Sequence, residues 1–287
     1  MQIVSDRGMD LSNEQLAGFD ITLAPLTLTL DGKTYRSGID IQPDEFYRLL
    51  AATESFPTTS QPSAGDFAAI YRDLAKTDPD ILSIHISSGL SGTLQSARAG
   101  AEMVPEARVT FVDTKTLSCP MGWQVEAAAR ALRAGWTLER VLVKLEQISA
   151  ATEGLFTLAT LKYLIHGGRI SHMKGLIASL LNIKPIIGVE KENGTYVTHG
   201  QEITLKRAIH KLADVVGGIY PQGTRMRFQV LHGNNLEGTA ILCDRLSQMF
   251  DCTFMPTMVI APVLGAHTGP GLVGLAAGPM DVFADVP

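Results

Sequence analysis

"DILSIHISSGLSGTLQSARAGAEMVPEARVTFVDT", residues 80–114, decides the fold. It opens on Ile81, Leu82, Ile84 and Ile86, a short and mostly β-branched apolar run that reads as a buried strand. A turn rich in serine and glycine follows. "TLQSARAGAEMV" then reads as a helix and "RVTFVDT" as a second strand. Strand, helix and strand in that order predict parallel pairing through a right-handed crossover.

The alternation extends outward through the first half. "QIVS" reads as a strand and "DLSNEQLAGF" as a helix opened by polar caps. "ITLAPLTLTL" and "KTYRSG" flank Asp31-Gly32, a hairpin signal. "QPDEFYRLLAAT" places Pro43 in a first helical turn, with Phe46, Leu49 and Leu50 at helical spacing. "PTTSQPSAGDF", residues 57–67, has six Pro, Thr or Ser among eleven residues and reads as a solvated loop. "DFAAIYRDLAK", "GWQVEAAARALRAG" and "TLERVLVKLEQISAAT" are helices, the second closed by Gly135.

The second half has a different pattern. "GLFTLA" is a strand, "TLKYLIHGG" a short helix and "SHMKGLIASLLN" another. "IKPIIGVE" and "TYVTHG" form a hairpin around Asn193-Gly194. "TLKRAIHKLADVVGG" and "NLEGTAILCDRLSQMF" are helices. "MRFQVLHG", "TFMPTMVIAPV" and "GLVGLAAG" are strands. Hairpin plus helices predicts a mixed sheet, with a domain boundary near residue 153: residues 1–153 as an α/β domain, 154–287 as a mixed-sheet α/β domain.

Composition narrows the function. The chain has 287 residues, 45% hydrophobic and 18% charged, a core-forming balance. A net charge of −5 gives no nucleic-acid footprint. No apolar run reaches membrane-spanning length. Cys119, Cys243 and Cys252 lack zinc spacing and read as reduced thiols. The opening residues lack the pattern of a signal peptide, so the expected compartment is the cytoplasm. No metal or nucleotide motif is present, and no cofactor is expected.

Three segments carry candidate chemistry. In "SSGLSGT", Ser87, Ser88, Ser91 and Thr93 sit where a helix begins; they either cap it or help its free N–H groups hold an anion. "HGGRIS" puts Arg169 behind two glycines, either a surface arginine or a fork for a carboxylate or phosphate. "VLGAHTGPGLVG" puts His267 in a Gly/Pro-rich loop, as an anion donor, an acid–base group or a loop histidine bonded to backbone. A serine hydrolase using Ser91 and His267 is the alternative. It is weakened by Thr93, which stands where the nucleophile-elbow pattern has glycine.

Taken in order, "TSQPS", "SSGLSGT", "GGRI", "LLNIKPII" and "HTGPGLVG" resemble the DegV family over essentially the whole chain. That family includes the fatty-acid-binding subunits of bacterial fatty acid kinase. The resemblance implies a two-domain α/β fold. The first domain is a three-layer parallel sheet with helices on both faces; the second is a mixed sheet with helices on one side. It implies a long-chain fatty acid in an internal tunnel, with its carboxylate held around Thr59, Ser60, Ser91, Gly92, Arg169 and His267. It also implies a carrier without turnover of its own, which presents the carboxylate to a dihydroxyacetone-kinase-like partner for phosphorylation. Neither nucleic acid nor stable membrane insertion is expected. The family's opening "DSTADL" is here "DRGMDL", so Arg7 replaces a small hydroxyl residue and brings a positive charge toward the head-group end.

Overall fold

A computed structural model describes residues 1–171 and 183–287. The helix expected over 171–182 lies outside the described residues, apart from Ser171. Strands β1 (Gln2–Asp6) and β2 (Ile21–Ala24) lie side by side in a four-stranded sheet. Helix α1 between them is only Asn13–Leu16, shorter than its sequence suggested, with Ser12 and Gln15 closing a capping box. The run "ITLAPLTLTL" divides at Pro25, which has no N–H for a ladder, into strands of two different sheets. Its second part, β3 (Thr27–Leu30), turns through Asp31 and Gly32, both at positive φ, into β4 (Lys33–Arg36).

Helix α2 (Pro43–Ala51) leads to β5 (Thr58–Ser60). The segment expected as loop is therefore in part a strand. It pairs antiparallel with β3, placing Thr59 opposite Leu28. Three residues have no periodicity to read, and threonine suits a pleated strand as well as a turn. Helix α3 (Ala64–Ala75) starts at Ser63, whose hydroxyl accepts from the Asp66 N–H.

The quoted stretch folds as β6 (Asp80–His85), α4 (Thr93–Glu102) and β7 (Arg108–Asp113). The sheet order is β2-β1-β6-β7, parallel throughout. Val4 and Ile81 pack one face against α3 and α4. Ile3, Leu82 and Ile84 pack the other into the large core that holds α5 (Ser118–Arg133) and α6 (Leu138–Ala151). These are the helices on both faces of a three-layer unit.

The seven-stranded mixed sheet draws only on residues from 153 onward. It contains β8 (Glu153–Thr157), the hairpin β9 (Lys184–Val189) and β10 (Tyr196–Glu202), then β11 (Arg225–His232), β12 (Asp251–Phe254), β13 (Met258–Val259) and β14 (Val273–Pro279). Its order is β10-β9-β8-β14-β11-β12, with β13 also on β11. Helices α8 (Leu205–Ile219) and α9 (Leu236–Ser247) cover one face over Ile186, Phe228 and Leu275. The other face meets α5, which is buried along almost its whole length. Short α7 (Lys162–His166) and α10 (Pro262–Thr268) pack on each other, and α10 also lies against β3 and β5.

Candidate functional site

His267 lies in helix α10, not in a loop as its Gly/Pro-rich surroundings suggested. Pro262 fits the first turn of a helix, and Gly269 at φ 67° ends it. Acceptors for the start of α10 come from the first half of the chain. The Ala261 N–H donates to Asp10 Oδ1 at 2.9 Å, and the Val263 N–H to Ser37 Oγ at 3.3 Å. Asp10 also accepts from Ser118 Oγ at 2.6 Å. Burial pushes the Asp10 carboxyl up to about 6, against the pull of these two hydrogen bonds.

At the other end of α10, His267 Nε2 and Thr59 Oγ1 share a hydrogen bond of 2.7 Å. His267 Nδ1 is buried and has no partner among the described residues. The ring sits directly over Gly167, where a Cβ would collide with it. Burial, and then the positive charge of Arg169, lower the imidazole to about 4, so it is neutral at neutral pH. Arg169 follows Gly168 at φ 73° and donates from Nη1 to Gly167 O at 2.7 Å. Thr59, Arg169 and His267 thus converge from β5, the end of α7 and α10. Phe56 stacks on His166 and meets Tyr163 edge-on beside them.

Ser91 and Gly92 sit on the loop before α4. Ser91 Oγ is 2.8 Å from Thr93 Oγ1 and accepts from the Thr93 N–H at 3.3 Å. Gly92 faces the Gln61 amide, and a Cβ there would be 2.5 Å from it. Gln61 follows Thr59 by two residues, so the end of β5 joins the two groups. Ser60 is exposed and alternates to the opposite side of the strand from Thr59. The same loop touches the second half of the chain, with Ser87 Oγ donating to Gly194 O at 2.7 Å. No hydrogen bond links Ser91 to His267; the one that a serine nucleophile would need from the imidazole goes to Thr59. Arg7 lies half-buried against the turn at Gly38, and burial lowers its guanidinium.

His267 and Thr268 form part of the wall of a narrow cavity of about 50 Å³. The rest of the wall is chiefly apolar, including Leu117, Phe156, Leu231 and Leu264, with Ser118 and Tyr196 as its other polar members. Sequence reading missed Asp10, Ser118 and Tyr196. Asp10 lies within the "DRGMDL" motif, but its role depends on a helix more than 250 residues later. Ser118 and Tyr196 carry no local signal. Among the described residues no helix is long and apolar enough to cross a membrane, and no group of three His, Cys, Asp or Glu is placed to hold a metal.

Fold and site therefore define an α/β protein with an apolar cavity that has the His267 imidazole at its wall, itself bonded to the Thr59 hydroxyl and beside the Arg169 guanidinium. Comparison with known proteins gives the family. The model described as "Uncharacterised protein, DegV family" matches residues 1–279, and the chain belongs to that family. A DegV domain-containing protein of Listeria monocytogenes is 32% identical, over 95% of this chain and 96% of its own. A DegV family protein from Thermus thermophilus, described by its fatty acid binding, superposes with a TM-score of 0.86 at 32% identity, over 97% of this chain and 99% of its own. DegV of Bacillus subtilis, described as a fatty acid binding protein, gives 0.87 at 30% identity, over 97% and 98%.

Proposed function

We propose that this protein is a carrier for a long-chain fatty acid. The observation that carries the reading is an apolar cavity whose wall includes His267, itself bonded to Thr59 and beside Arg169, in a chain that resembles fatty-acid-binding relatives over its length. The acyl chain lies in the cavity. Its carboxylate lies among Thr59, Ser91, Gly92, Arg169 and His267, with Ser60 at the rim. About fifteen methylenes, at roughly 0.8 kcal/mol each, contribute on the order of 12 kcal/mol before ordering costs. The polar groups need not supply that affinity. They satisfy a head group whose burial without partners is costly.

Among the described residues no base-activated nucleophile is complete, and in this reading the protein carries its ligand without converting it. A dihydroxyacetone-kinase-like partner phosphorylates the presented carboxylate to an acyl phosphate. Donors such as Arg169 suit the charge that spreads over a transferring phosphoryl group. Three unpaired cysteines fit a reducing compartment, the cytoplasm.

Denaturing extraction of the purified protein followed by mass spectrometry tests the carrier reading. One fatty acid per chain is expected. An empty protein that hydrolyses esters and takes a fluorophosphonate label at Ser91 would overturn it. The partner is tested by adding such a kinase and ATP to the loaded protein, where acyl phosphate is expected.

A further inference from the structure

Tyr196 opens strand β10, next to the hairpin turn that Ser87 holds through Gly194. The residue is buried, and its ring packs edge-on against Phe156 at 5.5 Å. It lines the same cavity as His267. Buried phenols normally spend their O–H on a partner. Tyr71 shares a hydrogen bond with Ser83 at 2.8 Å, and Tyr220 donates to Ala151 O at 2.8 Å. The Tyr196 hydroxyl has no such partner among the described residues. Burial raises its pKa, while the positive charge of Arg169 draws it back. The same guanidinium acts on His267. Phenol and imidazole therefore share one cavity wall, reached from β10 and α10, and the Arg169 guanidinium after α7 is close enough for its charge to act on both.

We propose that Tyr196 is a ligand-binding residue whose phenol O–H donates to a carboxylate oxygen of the bound acyl chain. This rests on the fatty-acid reading above. A phenol suits the position because it stays protonated, and remains a donor, across the physiological range. Its ring also continues the apolar wall along which the first methylenes run. With His267 neutral, Tyr196 adds a directional donor without adding charge. That leaves Arg169 as the cation of the group.

Tyr196→Phe keeps the ring and removes only the hydroxyl. Stearate is titrated calorimetrically into the delipidated full chain, wild type and variant, and the near-ultraviolet tyrosine difference spectrum is recorded on binding. The variant should bind about tenfold more weakly, equivalent to about 1.4 kcal/mol. Wild type should show a tyrosine perturbation that the variant lacks. The ligand-free variant should unfold at the wild-type temperature. Equal affinities in the two proteins would overturn the role of Tyr196 and leave the carrier reading standing. A lowered unfolding temperature in the ligand-free variant would also overturn it, because the hydroxyl would then have its partner within the protein. Failure of wild type itself to take up stearate would remove the carrier reading and this inference together.

Discussion

Two histidines sit in buried polar clusters, and only one cluster is closed. Around His85, the chain of contacts runs Asp6 Oδ2 to Nδ1 at 2.8 Å, Nε2 to Ser83 Oγ at 2.7 Å, and Ser83 Oγ to the Tyr71 hydroxyl at 2.8 Å. Asp6 also accepts from the N–H groups of Gly8 at 2.8 Å and Ile86 at 3.1 Å. All four side chains are fully buried, and both nitrogens of His85 are used. Around His267, Nε2 has Thr59, but Nδ1 has no partner among the described residues, and Tyr196 lines the same cavity. A closed network fixes structure; an open one has capacity left for a ligand. From the sequence His85, in a strand, reads as structural and His267 as a site candidate; their hydrogen-bond accounts give the physical reason.

The comparison breaks most visibly if the closed cluster is opened. Asp6→Ala leaves two backbone donors and His85 without their acceptor. A loss of about 3–5 kcal/mol in urea unfolding is expected. A loss below 1 kcal/mol would mean that the cluster is not the structural one.

Acid titration of stability sharpens the contrast at the open cluster. The His267 imidazole is lowered to about 4 from 6.5 in the folded protein. Its contribution is present above pH 6.5 and lost as pH falls through that window toward 4. Asp10, at the other end of the same helix, is raised from 3.8 to about 6. Its contribution is present below 3.8 and lost as pH rises through 6. Each is on the order of 3 kcal/mol, and the two oppose one another between pH 4 and 6. Asp10→Asn should therefore steepen the loss of stability on acidification through that window, and His267→Gln should flatten it. Parallel curves for the two variants in denaturant titrations would show that neither group titrates as described.

The smallest effects come from the hydroxyls. Ser91→Ala should weaken stearate binding by about 1–3 kcal/mol in calorimetry. Ser60→Ala, exposed and on the other side of its strand, should stay within about 0.5 kcal/mol of wild type. Equal losses would put Ser60 in the carboxylate group as fully as Ser91.

Much of the architecture was legible. The β6–α4–β7 unit, the long amphipathic helices and both hairpins follow from periodicity and from Asp-Gly and Asn-Gly turns. Two of the local readings that differ from the structure concern the site. Thr58–Ser60 is a strand because β3 offers it an edge, which its own three residues do not reveal. Residues 262–268 are a helix because Asp10 and Ser37 supply acceptors at its start, which the glycines and prolines around His267 obscure. Of the candidate site residues, the ordered motifs picked out Thr59, Arg169 and His267, which the fold brings together. The same motifs do not reach Tyr196, because it lies in an ordinary strand.

By itself the sequence determined what repeats or acts over a few residues: which segments are helices, where the chain reverses, and that an aliphatic core forms. Periodicity and turn chemistry are local, so they can be read from the chain. Only the tertiary structure decided that Thr59 meets a histidine 208 residues away, and that His267 and Tyr196 share one cavity wall. Such contacts carry no sequence period. They are set by how the three sheets pack around α5 and α10, and by which buried polar atoms that packing leaves unpaired.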